Sequence, residues 1–190
     1  MKYSKNKVSK KDWELLAFSP IYIAVGVAEA DGIINVEEIE PLHGAISSLS
    51  TSGANQLVID VFGELYDKRN NGELWIEYNE LIKDEPMNME KKGKEIGKTF
   101  SSLEIDSDDL FEFQTCLFNI GFLTGVSYGR PDAPLDPSES DTLKTMFRWM
   151  GLNHNDFIPK DNSSEVTNTV NQSKTTNNKT PKEKGEAGFV

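Results

Sequence analysis

Apolar residues recur at three- and four-residue intervals along most of the chain, the spacing that places them on one face of an α-helix. Ser9 precedes a first such stretch, residues 10–18. Ser19 and Pro20 mark the start of a second, residues 20–30, because proline is tolerated at the first position of a helix. The second stretch is apolar on nearly every side, which predicts a central, buried helix.

Six further segments carry the same periodicity, and most are bounded by polar caps, glycines or turn residues. They span residues 35–49, 57–69, 73–82, 89–103, 106–126 and 137–150. Asp106 is placed to cap the fifth of these segments, and Gly151 is placed to end the sixth. Because no segment alternates as a strand does, the pattern predicts an all-α fold, a single compact bundle of about seven to eight helices.

Pro41 lies within the predicted helix of residues 35–49. If Asn35 caps this helix, the proline lies in its interior, where it removes a backbone hydrogen bond at a cost of about 3 kcal/mol. The sequence therefore predicts that this helix either bends at Pro41 or begins late.

The two ends of the chain differ in composition from the middle. Residues 1–11 carry five lysines and no acid, and residues 159–190 are rich in Asn, Thr, Ser and Lys. Neither segment has enough apolar surface to offset the entropy that is lost on ordering. We therefore predict a disordered basic arm over residues 1–9, a helical domain over residues 10–158 and a disordered tail over residues 159–190.

The charge of the middle region argues against nucleic acids as partners. Residues 12–160 hold 27 acidic and 11 basic residues, a net charge of −16. Such a body repels phosphate backbones, so we predict no nucleic-acid partner.

No apolar run reaches the roughly 18–20 residues that a membrane span needs, and the lysine-rich start lacks the apolar stretch of a signal peptide. The single cysteine permits no internal disulfide, so the sequence favours a cytoplasmic protein.

One stretch, VAEADGIINVEEIE over residues 27–40, holds five carboxylates and no basic residue. Asn35 and Glu38 have the spacing of a capping box, and acids in a first helical turn suit the positive end of the helix dipole. Helix stability alone therefore accounts for Glu37 and Glu38, by about 1–2 kcal/mol in total. The other glutamates of the stretch are expected to face solvent.

Asp31 is not explained in this way. It follows the carboxyl end of the preceding helix, where the helix dipole disfavours a negative charge. Loop N–H groups, an arginine from elsewhere or a metal ion could compensate it. A hard cation such as Ca²⁺ or Mg²⁺ prefers several oxygen ligands at a turn, and Asp31, Asn35 and Glu38 could supply three. The spacing is not that of an EF-hand, and two histidines with one cysteine argue against zinc.

A second stretch, residues 120–152, follows the same order of features as residues 23–49. Each has an apolar helix with small residues, then a polar turn with glycine, then an apolar residue and a capping box that opens an amphipathic helix. Asp136 and Glu139 correspond to the capping box of the first stretch. We interpret the two stretches as pseudo-repeated helix-loop-helix units.

The stretch WELLAFSPIYIAVGVAEADGIINVEEIE, residues 13–40, resembles the start of TerB-like domains, the helical modules of tellurite-resistance proteins. The shared pattern is a helix that ends in Ala-x-Ala-Asp-Gly-x-Ile, followed by a Glu-Glu pair on the next helix, with a weaker second copy. The resemblance implies an all-α module that serves bacterial stress response or defence. It also implies that divalent cations, Ca²⁺ or Mg²⁺, bind at the acidic loops.

Carried over to this chain, the resemblance and the loop pattern place candidate cation ligands in both loops. The candidate metal ligands are Asp31, Asn35, Glu37, Glu38, Asp132, Asp136 and Glu139. The second loop departs from the family pattern, because SYGRPDAP replaces the Ala-Asp-Gly. Its Arg130 could itself neutralise the neighbouring acids, which argues against an ion there.

The segment KKGKEIGK, residues 91–98, is the one basic cluster in the body of the sequence. It is either a solvated helix face or a docking site for the acidic loops or an acidic partner. We expect an interaction surface formed by Trp75, Lys91, Lys92 and Lys94.

No catalytic constellation accompanies these features, so we predict that the protein is not an enzyme. Cys116 lies on a strongly apolar segment, and His43 has no evident catalytic partner. Our first interpretation is a module that acts through protein contacts and binds a divalent cation. The alternatives are a purely structural or interaction domain without metal, and a metal-dependent hydrolase built on paired carboxylates such as Glu29 and Asp31.

Overall fold

The computed structural model describes residues 3–158 apart from positions 31, 33, 35, 52, 75, 78, 80–85 and 128–136. Six α-helices and no β-strand occur among these described residues, which confirms the all-α prediction. In chain order the helices are α1 (Lys10–Ala28), α2 (Val36–Leu49), α3 (Gln56–Asn70), α4 (Pro86–Ser102), α5 (Ser107–Ser127) and α6 (Pro137–Trp149). Short 3₁₀ turns at Lys5–Lys7 and His154–Phe157 flank them. The predicted tail lies outside the described residues.

α1 is one continuous helix, so the predicted break at Ser19 and Pro20 is wrong. Pro20 has no N–H to donate to the carbonyl of Leu16 one turn earlier. The hydroxyl of Ser19 donates to this same carbonyl at 2.8 Å, and Ser19 is fully buried. The hydroxyl therefore replaces the backbone hydrogen bond that proline removes, and the helix continues through it.

We expect Ser19→Ala to lower the free energy of unfolding by about 1–3 kcal/mol, because it leaves a buried carbonyl without a donor. Ser48→Ala is the matched control. Its hydroxyl also donates to a carbonyl of its own helix, at 2.9 Å, but on an exposed face. We expect the control to change stability by less than about 0.5 kcal/mol. Urea denaturation followed by circular dichroism measures both variants, and equal losses would contradict this account of α1.

α1 lies at the centre of the domain and contacts each of the other five helices. Every residue from Ser19 to Ala28 is buried, as the apolar pattern predicts. Residues with fully buried side chains on the surrounding helices include Leu42, Ile46, Leu57, Phe62, Leu65, Phe113 and Phe147. None of the described helices has the length and apolarity needed to cross a membrane.

The predicted signals at helix ends are confirmed where they are described. The Ser9 side chain accepts a hydrogen bond from the Asp12 N–H at 3.1 Å and caps α1. The Asp106 carboxylate accepts from the N–H of Asp108 at 3.0 Å and caps α5. Gly151 ends α6 with a φ of 74°, the left-handed conformation that favours glycine.

α2 begins at Val36 and contains Pro41, so the alternative of a late start is wrong. A residue at this position would normally donate to the carbonyl of Glu37. Glu37 is exposed, and water can hydrogen-bond its carbonyl in place of the missing N–H. The proline is therefore tolerated on the solvent side of the helix.

The described residues of the N-terminal arm, from Tyr3 onward, contact the helical domain. Tyr3 is buried, and Lys5–Lys7 form a 3₁₀ turn. The ammonium of Lys5 lies 3.1 Å from the Glu64 carboxylate on α3 and 4.1 Å from the centroid of the Trp13 ring. The indole N–H of Trp13 donates to the same carboxylate. One apolar ring and one centrally placed acid therefore attach this segment to the helical domain.

Glu64 makes the attachment of the arm sensitive to pH. Burial alone would raise the pKa of Glu64, but hydrogen bonds from Trp13 and Lys5 and the charges of Lys5 and Lys68 lower it below its ordinary value of 4.5. A depressed carboxyl pKa adds stability above the unfolded-state pKa and loses it as the pH falls through the folded-state pKa. The stabilisation is thus complete near neutral pH and is lost below about pH 4.5.

We expect Glu64→Gln to be less stable than the wild type by about 1 kcal/mol at pH 7, with a difference that shrinks as the pH falls below 4.5. Denaturant titrations measure the difference in the free energy of unfolding. They are repeated from pH 3 to pH 7 in steps of about one pH unit. Glu14→Gln is the control, because Glu14 is exposed. The distance from its carboxylate to the ammonium of the exposed Lys10 is 3.8 Å, which makes a weak ion pair. A stability difference that is the same at both ends of this range would contradict the role of the Glu64 charge.

Candidate functional site

The first acidic loop begins at a tight turn after α1. The N–H of Gly32 donates to the carbonyl of Glu29 at 2.9 Å, and Gly32 has a φ of 84°. Glu29 and Glu40 are exposed, as predicted. Asp31 and Asn35 lie outside the described residues, so their assignment as ligands stays a prediction.

Two buried glutamates stand at the starts of the helices that follow the acidic loops. Glu38 in α2 is 2% exposed and Glu139 in α6 is 9% exposed, and they are the only charged side chains in the described part of the chain that are buried. Each is the third residue of its helix. Both make polar or electrostatic contacts within the domain. By contrast, Glu37 is exposed.

The sequence contained a signal for this burial. The core residues four and eight positions after these glutamates are Leu42 and Ile46 in α2 and Leu143 and Phe147 in α6. Residues at this spacing lie on one helix face, so each glutamate continues an apolar stripe. The capping-box interpretation explains the two acids without reference to this stripe, and sequence reasoning therefore missed their burial.

The second loop is mostly outside the described residues. Arg130, Asp132 and Asp136 belong to this undescribed segment. α6 begins at Pro137, one residue after the predicted cap. Of the three ligands predicted for this loop, only Glu139 is therefore described, and it lies in α6.

Among the described residues, no three His, Cys, Asp or Glu side chains come together as a metal site. The predicted ligands that are described, Glu37, Glu38 and Glu139, are thus not brought together as a set. Carboxylate oxygens remain the donors that Ca²⁺ and Mg²⁺ prefer. The buried Glu38 would need the loop residues around it to complete a cation site.

Burial shifts the pKa values of two groups with nucleophilic or base chemistry. Burial, together with the charge of Glu112, raises the pKa of Cys116 to about 11. Its thiol is therefore protonated at neutral pH. Burial lowers the pKa of His43, with Glu40 opposing and Arg69 adding to the effect.

The predicted basic cluster lies on α4. Lys91 and Lys94 are exposed, and Lys92 is half-buried. Lys92 lies 3.6 Å from the carboxylate of Glu95, and Lys94 pairs with a glutamate one turn earlier. Trp75, the aromatic member of the predicted interaction surface, lies outside the described residues.

α5 has an apolar face that other described helices do not cover. Phe111, Phe122 and Leu123 are among the exposed large hydrophobic residues, and Leu123 is 51% exposed. No charged residue occurs in residues 115–126. Three turns of an exposed helix face therefore lack the charges that keep ordinary surfaces solvated. We call the outer side of α5 over residues 115–126, together with the ring of Phe111, the apolar face.

Stacked aromatic rings hold this apolar face in place. The ring of Phe157 stacks on Phe111 at 5.2 Å and on Phe118 at 5.9 Å between centroids. Phe118 stacks in turn on Phe122 at 6.2 Å. Since Phe118 is itself buried, the exposed rings are fixed to the core. A surface that is already ordered loses less conformational entropy on binding a partner.

The chain matches no family model, no curated protein and no solved structure. The TerB-like resemblance therefore rests on the residues quoted above. The described residues form a small acidic helical domain with an exposed apolar face and two buried glutamates, each the third residue of its helix.

Proposed function

We propose that this chain is a non-catalytic, cytoplasmic module of the TerB-like type, which serves bacterial stress response or defence by binding another protein. The observation that carries the proposal is the apolar face of α5. An exposed, uncharged and apolar helix face on an otherwise strongly charged domain is typical of a protein interaction site. The raised pKa of Cys116 supports the non-catalytic part of the proposal.

The partner that fits the apolar face is an amphipathic helix of a different protein. Residues 115–126 span about 18 Å along the α5 axis, the length of about three helical turns. The backbone groups of α5 are bonded within the helix, so they cannot pair with an added strand. A second copy fits less well, because each body carries a net charge of −16 and two copies repel each other. The partner helix has an apolar stripe with neutral or basic flanks.

A photoreactive phenylalanine analogue at position 122 tests this contact in the native host. We expect a cross-linked product that forms from position 122 but not from position 10, where Lys10 is highly exposed. Leu123→Asp should abolish the product while the circular dichroism spectrum stays unchanged. The cross-linked partner peptide should show apolar residues at helical spacing. Equal products from both positions, or a product made of two copies of this chain, would refute the proposed contact.

A divalent cation at the acidic helix-loop-helix is the second part of the proposal. It is supported by Glu38 and Glu139, which share their helix position, their burial and their spacing to the core, as two pseudo-repeated units would. Seven to eight helices in total, as the TerB-like resemblance implies, belong to the same proposal. Glu38 would hold the ion together with Asp31, Asn35 and Glu37, and the ion would neutralise the acids around α2.

We expect Ca²⁺ at ten times its dissociation constant to stabilise the folded chain by about 1.4 kcal/mol. Thermal melting and amide shifts of Gly32 and Glu37 measure this effect on the unmodified protein. Amide shifts of Gly44, further along α2, serve as an internal control. No change at millimolar Ca²⁺ or Mg²⁺ removes the ion from the proposal and leaves the metal-free interaction module.

A further inference from the structure

A groove of about 430 Å³ lies between α4 and the end of α6. Lys94, Lys98, Ser101 and Ser102 form the wall on α4, and Trp149 and Met150 form the opposite wall. Lys94, Lys98 and Ser101 are exposed, whereas Trp149 is half-buried. One wall is therefore basic and polar, and the other is aromatic and apolar.

The groove exists because the two backbones approach closely on one side of it. A Cβ atom at Gly97 would lie 2.4 Å from the carbonyl oxygen of Met150. Gly151 then ends α6 in the left-handed conformation, and the Leu152 N–H returns to the Phe147 carbonyl at 2.9 Å. The second wall is thus held by backbone contacts and a closed helix end, and the groove is preformed.

The basic wall stands out from a body with a net charge of −16. Lys94 and Lys98 are four residues apart on α4, so they project on the same side about 6 Å apart along the axis. Lys94 also pairs with Glu90. Lys98 forms no ion pair with any described residue. An unpaired ammonium beside a half-buried tryptophan favours an acidic ligand with an apolar part.

The serine hydroxyls distinguish a peptide from a phosphate. Ser101 donates its hydroxyl proton to the Gly97 carbonyl at 3.0 Å, and Ser102 donates to the Thr99 carbonyl at 3.0 Å. Each hydroxyl oxygen keeps lone pairs that can accept N–H groups. A peptide backbone supplies such donors, whereas a fully ionised phosphate supplies only acceptors and gains no hydrogen bond from these lone pairs. The α4 wall thus favours a peptide over a phosphate-bearing ligand.

We infer that this groove binds an extended segment of another protein in which acidic and apolar residues alternate. Side chains two positions apart in an extended chain point the same way and lie about 7 Å apart. This spacing matches the two lysines, so alternate acids reach Lys94 and Lys98. The intervening apolar side chains point to the opposite wall and pack on Trp149. This binding site is separate from the apolar face of α5.

The synthetic peptide Gly-Asp-Phe-Asp-Phe-Gly, with blocked ends and a fluorescent label, tests the inference on the full chain. We expect saturable binding with a dissociation constant on the order of 100 µM by fluorescence polarisation, since the groove is open and the peptide short. Lys98→Glu should weaken binding about tenfold, because attraction becomes repulsion. Lys10→Glu makes the same change of charge at a distant exposed site and should leave binding unchanged.

Further measurements keep the outcome decisive. The amides of Gly97, Ser101 and Gly151 should shift on peptide addition, and the Asn-Phe-Asn-Phe version should bind at least about tenfold more weakly. Equal weakening by Lys98→Glu and Lys10→Glu would overturn the inference. So would displacement of the peptide by tripolyphosphate at the same concentration, which would indicate a generic anion site. Groove shifts that follow protein concentration without peptide would assign the groove to a second copy and also overturn it.

Discussion

Gly97→Ala is expected to lower the free energy of unfolding by about 2–3 kcal/mol. The added Cβ would lie 2.4 Å from the carbonyl oxygen and 2.6 Å from the carbonyl carbon of Met150. These are backbone atoms, which cannot rotate away as the end of a side chain can. α4 and the end of α6 must therefore separate, and the loss exceeds the gain in helix propensity from alanine. Urea denaturation followed by circular dichroism measures the change.

Gly44→Ala is the matched control, because it makes the same chemical change inside a helix. A Cβ at Gly44 in α2 meets no atom within 4 Å. We expect this variant to be more stable than the wild type by about 0.5–1 kcal/mol, since alanine favours the helix and restricts the unfolded chain. The two substitutions should thus change the free energy of unfolding in opposite directions. A loss of stability from Gly44→Ala, or a gain from Gly97→Ala, would contradict the proposed helix contact.

The sequence predicts those parts of the fold that depend on local chemistry. Helical periodicity and the caps at Ser9 and Asp106 are local signals, and the structure confirms them. The predicted break at Pro20 fails for a reason that is also local, the hydroxyl of Ser19 bonding the Leu16 carbonyl. A proline preceded by serine is therefore not a safe helix boundary, because the serine can satisfy the carbonyl that proline leaves without its donor.

The features that sequence reasoning missed depend on residues far apart in the chain. Lys5 contacts Glu64 across 59 positions, and the groove requires Gly97 to meet Met150. No periodicity in a single segment encodes which helix lies beside which. The candidate cation site is different, because Asp31 and Asn35 themselves lie outside the described residues. Its ligands stay predictions, and the burial of Glu38 is the new fact about that loop.

Phe147→Ala is expected to cost about 3–5 kcal/mol of unfolding free energy, the largest loss among the changes considered. Phe147 is fully buried in α6. Its ring meets Phe118 of α5 edge to face, with centroids 5.7 Å apart, and Phe157 of the final turn at 5.4 Å. Removing this ring leaves a cavity where three segments of the chain meet. Thermal and urea denaturation measure the loss, and Phe147→Leu should recover part of it.

Phe122→Ala is the control that separates folding from binding. Phe122 stacks on the same Phe118 ring, but it is 41% exposed, so its removal should cost only about 1 kcal/mol. Equal losses from Phe122→Ala and Phe147→Ala would contradict this division of the aromatic cluster. For partner binding we expect the larger loss from Phe122→Ala, because Phe122 belongs to the apolar face of α5. Phe122→Ala should therefore keep the fold and lose the partner contact, whereas Phe147→Ala should weaken the contact only as far as the domain unfolds.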